Sequence, residues 1–178
     1  MNYHNITHDD MNNGEGLRVV GWFSGCSHHC YNCQNPQTWD AKSGIQFNAS
    51  AKQEIFTELA KDYISGLTLS GGDPLYKDNV DEIYNLVSEV KGRFPRKTIW
   101  LYSGYTWEQI WEDGNFNIEE YPYDIVRRDI ICLSDVFIDG EFQEALKDVT
   151  LKWRGSKNQR VIDVQKSLYE DKIVLYCD

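Results

Sequence analysis

The stretch that decides the fold is residues 17–33, LRVVGWFSGCSHHCYNC. Its first part, Leu17–Phe23, is rich in valine and aromatic side chains, which predicts a strand buried on both faces. The second part opens a segment, residues 24–48, that contains Gly, Cys, Pro and Asn throughout and has no hydrophobic period. A long loop that follows a buried strand inside a compact domain is usually functional.

Strands and helices alternate along the following part of the chain. We predict strands over 66–70, 98–102 and 136–138, a helix that begins at Ser50, helices over 79–91 and 123–131, and a short helical segment over 107–111. Ser50 and Gln53 fit a capping box at the start of the first helix. This alternation is typical of an α/β domain with mainly parallel strands. The glycine-rich segments all follow predicted strands, and this edge of a parallel sheet is where ligands bind.

The remaining segments carry weaker signals. Residues 1–16 are polar and end in a glycine-containing turn, which predicts an N-terminal tail. Residues 112–120 are acidic and predict a loop. Near the end, 160–164 and 173–176 are either two strands or, for the latter, a loosely docked tail. A chain of 178 residues without a repeat or a linker predicts one domain over 1–178, with a C-terminal extension over about 161–178.

Composition narrows the function classes. Lys and Arg total 18 against 28 Asp and Glu, which gives a net charge of −10. Such an acidic chain is not expected to bind nucleic acid, which requires a basic face. No apolar run approaches the ~20 residues that span a bilayer, and the N-terminus lacks a signal peptide, so we expect a cytoplasmic protein without membrane attachment. Five cysteines in a reducing compartment indicate metal or redox chemistry.

Three of these cysteines form a C-x3-C-x2-C motif at Cys26, Cys30 and Cys33. Three thiolates within eight residues can surround one soft-metal centre. A [4Fe–4S] cluster usually takes four cysteines, so three ligands would leave one iron open to a small molecule. The alternative is a zinc site completed by His28 or His29, because Cys3His sites are common. We expect the remaining cysteines to be a buried inert thiol, Cys132, and a free thiol near the terminus, Cys177.

Further motifs give the chain a resemblance to the radical S-adenosylmethionine (SAM) enzymes and, within them, to the activating proteins of anaerobic ribonucleotide reductases. The segments that carry this resemblance, over roughly residues 1–160, are the cysteine motif, Met1–His4, Thr38-Trp39, Leu69–Leu75, Ile99-Trp100, Ser103–Tyr105, Asp139–Phe142 and Trp153–Arg160. The last segment has no generic radical SAM role and distinguishes the more specific family. The resemblance implies a partial (β/α) barrel of the radical SAM type.

The resemblance also implies roles for single residues. Cys26, Cys30 and Cys33 would be the catalytic cluster ligands, and SAM would chelate the open iron. Two sets of SAM contacts are implied: Gly71, Gly72 and Asp73 at the amino end, and Asn32, Cys33 and Gln34 at the adenine end, with Ser103 a weaker candidate for the ribose or carboxylate. Many radical SAM proteins have an aromatic residue at position 32, and the family usually has Tyr at 34 and Thr at 103, so this chain departs at all three positions.

By this resemblance the protein activates the large subunit of an anaerobic ribonucleoside-triphosphate reductase. It would use a low-potential electron donor to cleave SAM to a 5′-deoxyadenosyl radical and would generate a glycyl radical on its partner. A basic stretch, Lys147, Lys152, Arg154, Lys157 and Arg160, is either the docking surface or a solvated face. The alternatives are an activase of another glycyl-radical enzyme, such as pyruvate formate-lyase, and a non-catalytic zinc or iron–sulfur module.

Overall fold

The computed structural model describes residues 1–111 and 121–177. In chain order the elements are β1 (Asn2–Asp10), β2 (Leu17–Phe23), a 3-10 turn (Pro36–Thr38), β3 (Ile45–Gln46), α1 (Ala49–Leu59), β4 (Ile64–Gly71), α2 (Val80–Arg93), β5 (Thr98–Tyr102), α3 (Trp107–Trp111), α4 (Tyr121–Leu133), β6 (Val136–Asp139), a second 3-10 turn (Glu144–Leu146), β7 (Arg160–Asp163) and α5 (Val164–Glu170). Within the described ranges, no helix has the length and apolar character needed to cross a bilayer.

One sheet of seven strands, in the order β3-β1-β2-β4-β5-β6-β7, organises the fold. The four central strands, β2, β4, β5 and β6, pair in parallel. The flanking pairs are antiparallel at both ends of the sheet. The predicted α/β class with mainly parallel central strands is therefore confirmed. The sheet is open, with β3 and β7 as its edges, so the expected barrel is not established.

The two faces of the sheet are covered differently. Residues alternate between faces along a strand, so β5 places Ile99 and Leu101 in the large hydrophobic cluster and Trp100 in a small one. The large cluster also contains the buried side chains of α1, α2 and α4. On the other face, the rings of Trp153 and Tyr176 pack on Trp100 at centroid distances of 4.8 and 5.2 Å.

The prediction of an N-terminal tail was wrong, because residues 2–10 form strand β1. This strand pairs with β2 from Tyr3 opposite Phe23 to Asp10 opposite Arg18. Its sequence, NYHNITHDD, contributes one buried side chain, that of Ile6. Main-chain hydrogen bonds to β2 therefore define the strand, and a hydrophobic pattern could not reveal them.

Helix α1 begins one residue earlier than predicted and uses a different cap. The side chain of Asn48 accepts hydrogen bonds from the main-chain N–H groups of Ser50 and Ala51 at 3.0 and 3.1 Å. Asparagine is among the best N-cap residues because its short side chain reaches these unpaired donors. The proposed capping box at Ser50 is thus replaced by an Asn48 cap.

The other predicted elements lie where expected, within a few residues at their ends. At the C-terminus, β7 is a true strand, whereas 173–176 is a segment held against β7 by a single bridge between Ile162 and Leu175. The predicted acidic loop over 112–120 lies outside the described residues. Cys132 is exposed at the end of α4, so its assignment as a buried thiol was wrong.

A cluster of charged side chains connects α3 to the end of β6 and the start of β7. The Arg160 guanidinium donates to both carboxylate oxygens of Glu108, at 2.8 and 2.7 Å, and also to Asp139. Asp139 in turn accepts a hydrogen bond from the main-chain N–H of Trp107 at 2.9 Å. The hydrogen bonds from Arg160 lower the pKa of Glu108 from 4.5 to about 2.

This cluster predicts an acid-dependent loss of stability. A folded-state pKa below the unfolded value contributes stability above the unfolded pKa, and this contribution disappears as pH falls through the folded one. We expect Glu108→Gln to lower the melting temperature at pH 6. The gap between the variant and the wild type should close as pH falls from 4.5 toward 2. Calorimetry across this pH range tests the prediction, and a gap that stays constant down to pH 2 would contradict it.

Candidate functional site

The loops that follow the four parallel strands converge on one cavity at the carboxyl edge of the sheet. The loop after β2 brings the cysteines, the loop after β4 the glycine turn, and the loops after β5 and β6 the remaining wall. The lining residues are Cys26, His28, Cys30, Cys33, Trp39, Gly72, Tyr102, Ser103, Gly104, Gly140, Glu141, Phe142 and Gln159. The three cysteines of the motif therefore face one space, as the sequence predicted.

The cysteine loop and the glycine turn after β4 are held together by main-chain hydrogen bonds. The Asp73 N–H donates to the carbonyl of Gly25 at 2.7 Å, and the Gly72 N–H donates to Phe23 at 2.8 Å. Gly25 also donates to the carbonyl of Thr38 at 2.8 Å. The glycine turn is thus packed directly against Gly25, the residue that precedes Cys26.

This close approach requires glycine at two positions. Gly71 has φ +109°, where residues with side chains are strained, and a Cβ there would lie 2.5 Å from the Phe23 nitrogen. A Cβ on Gly72 would lie 2.5 Å from the Gly25 carbonyl oxygen and 2.8 Å from that of Thr38. The obstructing atoms are main-chain atoms, which cannot rotate away. Glycine here serves the packing of two loops.

The Asp73 carboxylate joins three of these loops. It is 1% exposed and accepts hydrogen bonds from Ser103 Oγ at 2.9 Å, from the Gly104 N–H at 3.0 Å and from the Leu75 N–H at 2.8 Å. The ring of His28 lies 2.9 Å away through Nε2. Both carboxylate oxygens are therefore occupied by protein groups.

His28 bridges Asp73 to the loop after β6. Its Nδ1 lies 3.0 Å from Oε1 of Glu141. Its ring packs against the Tyr105 ring in a T-shaped arrangement, with the two ring centroids 4.7 Å apart. Burial alone would lower the pKa of the imidazole, but hydrogen bonds and charge from Asp73 and Glu141 outweigh it and raise the pKa. The sequence had offered His28 only as a possible ligand of the alternative zinc site, not as a partner of Asp73. Its position between two cysteines of the motif was the available signal.

Removing this imidazole should loosen the cysteine loop. His28→Ala leaves the buried Asp73 carboxylate short of one partner, which we expect to reduce the free energy of unfolding by about 1–3 kcal/mol. It should also speed alkylation of Cys26 in the metal-free protein. Urea unfolding and mass spectrometry of labelled thiols measure the two effects. His8→Ala, which removes an exposed imidazole on β1, is the matched control. Equal labelling rates in wild type and His28→Ala would contradict this role.

Burial disfavours the ionised form of two of these thiols, Cys26 and Cys30. Burial, with the charge of Asp73, raises the pKa of Cys26 to about 12, and burial also raises the pKa of Cys30. Cysteine binds metal as the thiolate, so metal binding must displace these protons. Among the residues that the structure describes, no three His, Cys, Asp or Glu side chains are arranged around a single-ion position.

The three thiols are a donor set that fits an iron–sulfur cluster, because soft metal centres prefer sulfur ligands. Neither Cys132 nor Cys177 belongs to the described lining of the cavity. Cys177 instead packs against the small cluster around Trp100. Gly72 of the glycine turn lines the same cavity as the three cysteines.

Only some of the predicted SAM contacts line the cavity or the groove beside it. Gly72 and Ser103 line the cavity with the cysteines, and Gln34 lines a groove beside it. Asn32 is exposed and has φ +55°, a conformation that asparagine tolerates well. Gly71 and Asp73 lie behind the lining. Sequence reasoning missed Glu141, Phe142 and Gln159 as lining residues, although all three lie in segments that carry the family resemblance.

The predicted basic stretch is largely neutralised within the chain. Lys147 lies 3.7 Å from Glu144, and Lys157 lies 3.4 Å from Asp148. Arg160 forms ion pairs with Glu108 and Asp139, as described above. Five basic residues in sequence therefore do not make one continuous basic face.

Comparison with known proteins identifies the family of this chain. Residues 12–162 match the family model described as a 4Fe-4S single cluster domain. The anaerobic ribonucleoside-triphosphate reductase-activating protein of Enterobacteria phage T4 is 45% identical over 161 residues, which are 90% of this chain and 93% of that protein. The proteins of the same name from Escherichia coli K12 and Pasteurella multocida are 36% and 37% identical, over 90% and 89% of this chain and 97% and 95% of theirs.

These similarities extend over most of this chain and most of each relative, and they include the segment that holds the three cysteines and the glycine turn. The chain therefore belongs to the family of anaerobic ribonucleoside-triphosphate reductase-activating proteins, with a 4Fe-4S single cluster domain.

Proposed function

We propose that this protein activates an anaerobic ribonucleoside-triphosphate reductase by generating a glycyl radical on its large subunit. The observation that carries the proposal is the cavity itself, in which three cysteine thiols and a glycine turn meet at the carboxyl edge of the sheet. The names of the relatives supply the partner. We place the protein in the cytoplasm. We also propose that it is a radical SAM enzyme and that its open sheet corresponds to the partial (β/α) barrel of that class.

The cofactors would be a [4Fe–4S] cluster and SAM. When bound and reduced, the cluster would supply the electron that splits SAM into methionine and a 5′-deoxyadenosyl radical, which takes a hydrogen atom from glycine. Cys26, Cys30 and Cys33 would hold three irons and leave the fourth for SAM. A low-potential electron donor would provide the electron.

The chain's own groups would position SAM and shield it. The amino end of SAM would meet the backbone at Gly72, which lines the cavity, because Gly71 lies behind the lining and the Asp73 carboxylate is already engaged by four protein partners. Asp73 would then hold the turn in place. Ser103 borders the same cavity through the loop after β5. Gln34, and the exposed Asn32, would lie toward the adenine.

Electron paramagnetic resonance tests this proposal. The protein is purified without oxygen, reconstituted with iron and sulfide, reduced, and measured at low temperature with and without SAM. We expect a reduced [4Fe–4S] signal that changes when SAM is added. Addition of the reductase large subunit should then give a glycyl-radical signal. Zinc in place of iron and sulfide, or a cluster signal indifferent to SAM, would overturn the proposal in favour of a binding module.

A further inference from the structure

Two side-chain amides of the segment Trp153–Arg160 bind the loop that follows β6. The antiparallel pairing of β6 with β7 ends just before this loop. Beyond that point, the Asn158 Nδ2 donates to the carbonyl oxygen of Glu141 at 2.8 Å, and the Gln159 Nε2 donates to that of Gly140 at 3.0 Å. Asn158 and Gln159, the amide pair, therefore continue the hydrogen bonds past the end of the sheet.

The oxygen of the Gln159 amide holds the other end of the same segment. This Oε1 accepts hydrogen bonds from the main-chain N–H groups of Gly155 and Ser156 at 2.9 and 3.2 Å. Gly155 in turn packs beside the cysteine loop, because a Cβ there would lie 3.0 Å from both the Gln34 side chain and the Phe142 ring. One amide thus joins the loop after β6 to the segment that touches the end of the cysteine loop.

Glu141 connects the loop after β6 to the cysteines themselves. Its carboxylate lies 3.0 Å from the Nδ1 of His28, which stands between Cys26 and Cys30. The side chain of Glu141 is 53% exposed, so packing alone restrains it little. Asn158 restrains it through the main chain, because it holds the carbonyl group of this same residue. A shift of the amide pair would therefore be transmitted to the cysteine loop.

The two amides have different positions relative to the cysteine cavity. Gln159 lines this cavity and the groove beside it, whereas Asn158 belongs to the described lining of neither. Both polar atoms of the Gln159 amide already have main-chain partners. An amide that is bonded at both ends holds other groups in place, and it has little capacity left to bind a ligand.

We propose that Gln159, assisted by Asn158, is a positioning residue for the SAM site, because the amide pair fixes the loop after β6 against the cysteine loop. The inference rests on the proposed function and gives a role to the segment that distinguishes the family in sequence. A site functions only when the residues around it hold its groups in the productive geometry. Loss of such an outer partner typically reduces affinity or activity about 10–100-fold at metal sites.

Hydrogen exchange of the metal-free protein, followed by mass spectrometry, measures the positioning without any cofactor. We expect Gln159→Ala to speed exchange about two- to tenfold in residues 139–142 and in residues 25–34, since both segments lose a shared hydrogen-bonding support. Gln159→Glu keeps an acceptor for Gly155 but places a carboxylate against the carbonyl group of Gly140. This variant should therefore speed exchange mainly in residues 139–142.

The matched control is Gln165→Ala. The side-chain amide of Gln165 also donates to two main-chain carbonyl groups, those of Cys132 and Ser134, at 3.0 and 2.8 Å. Gln165 does not belong to the described lining of the cysteine cavity. Its replacement should leave exchange in the cysteine loop at the wild-type rate.

The dissociation constant for SAM is then measured on the reconstituted, reduced proteins from the change in the paramagnetic resonance signal. We expect Gln159→Ala to raise this constant at least about tenfold. Asn158→Ala should raise it by a smaller factor, although Asn158 lies outside the described lining of the cavity. Gln165→Ala should bind SAM like the wild type.

Faster exchange together with weaker SAM binding in Gln159→Ala and Asn158→Ala supports the proposal. Weaker SAM binding with unchanged exchange would overturn it, because the Gln159 amide would then contact SAM directly. Wild-type SAM affinity in Gln159→Ala would also overturn it, whatever the exchange rates, because the amide would then serve stability alone. If the wild-type cluster does not respond to SAM, the proposed function itself fails and the inference with it, an outcome that no variant can produce.

Discussion

Replacing Cys30 with alanine is expected to abolish both cluster assembly and SAM cleavage. Cys30 contributes one of the three thiols in the cavity, and the described lining holds no fourth thiol that could take its place. Two thiolates cannot hold three irons, so the loss should be complete and not graded. Iron and sulfide analysis, the absorbance of the reconstituted protein and chromatographic detection of 5′-deoxyadenosine measure the result.

The matched control for this variant is Cys132→Ala. Cys132 is an exposed thiol on α4 and does not line the cavity. Its replacement should leave iron content and cleavage at the wild-type level. Cleavage retained in Cys30→Ala would remove this residue from the ligand set. A cluster lost in Cys132→Ala would mean that the site has another ligand and that the open-iron argument is wrong.

Gly72→Ala should have the second largest effect. The new Cβ would lie 2.5 Å from the Gly25 carbonyl oxygen and 2.8 Å from that of Thr38, so the turn and the cysteine loop would have to separate. Overpacking of this kind costs about 1–3 kcal/mol and occasionally more, and rigid main-chain neighbours place this case at the upper end. We expect a loss of about 3 kcal/mol in the free energy of unfolding and a cluster content well below the wild type.

Gly92→Ala provides the control for Gly72→Ala. Gly92 lies in α2, and a Cβ there meets nothing within 4 Å. Alanine favours helix over glycine by up to about 1 kcal/mol, so this variant should be slightly more stable than the wild type. Urea unfolding of the metal-free protein compares the two variants without involving the cofactors. Equal stability of both variants would show that the turn and the cysteine loop are not packed as described.

Local sequence predicted the central part of this fold well. A buried parallel strand such as β5 contains a continuous apolar run, Ile99–Tyr102, and a helix such as α2 shows its own 3.6-residue period. Strand β1 and the Asn48 cap were missed. The strand is defined by pairing with β2, and the Asn48 cap lies two residues before Ser50, where the capping-box pattern had indicated the start of the helix.

The sequence by itself indicated the candidate cluster ligands and the family. The spacing of Cys26, Cys30 and Cys33 is local, and a metal's preference for thiolate follows from side-chain chemistry alone. The glycine turn could also be found, because glycine after a buried strand signals a close approach. Only the tertiary structure decided how these parts act together.

Contacts between loops from different strands account for this difference. His28 reaches Asp73 and Glu141, which are 45 and 113 residues away along the chain. Arg160 and Lys157 find carboxylates within the fold, whereas the Arg154 Nε has no partner among the described residues. A basic stretch looks uniform in sequence because charge is a property of each residue. Its pairing depends on which carboxylates the sheet brings within reach, and only folding sets those distances.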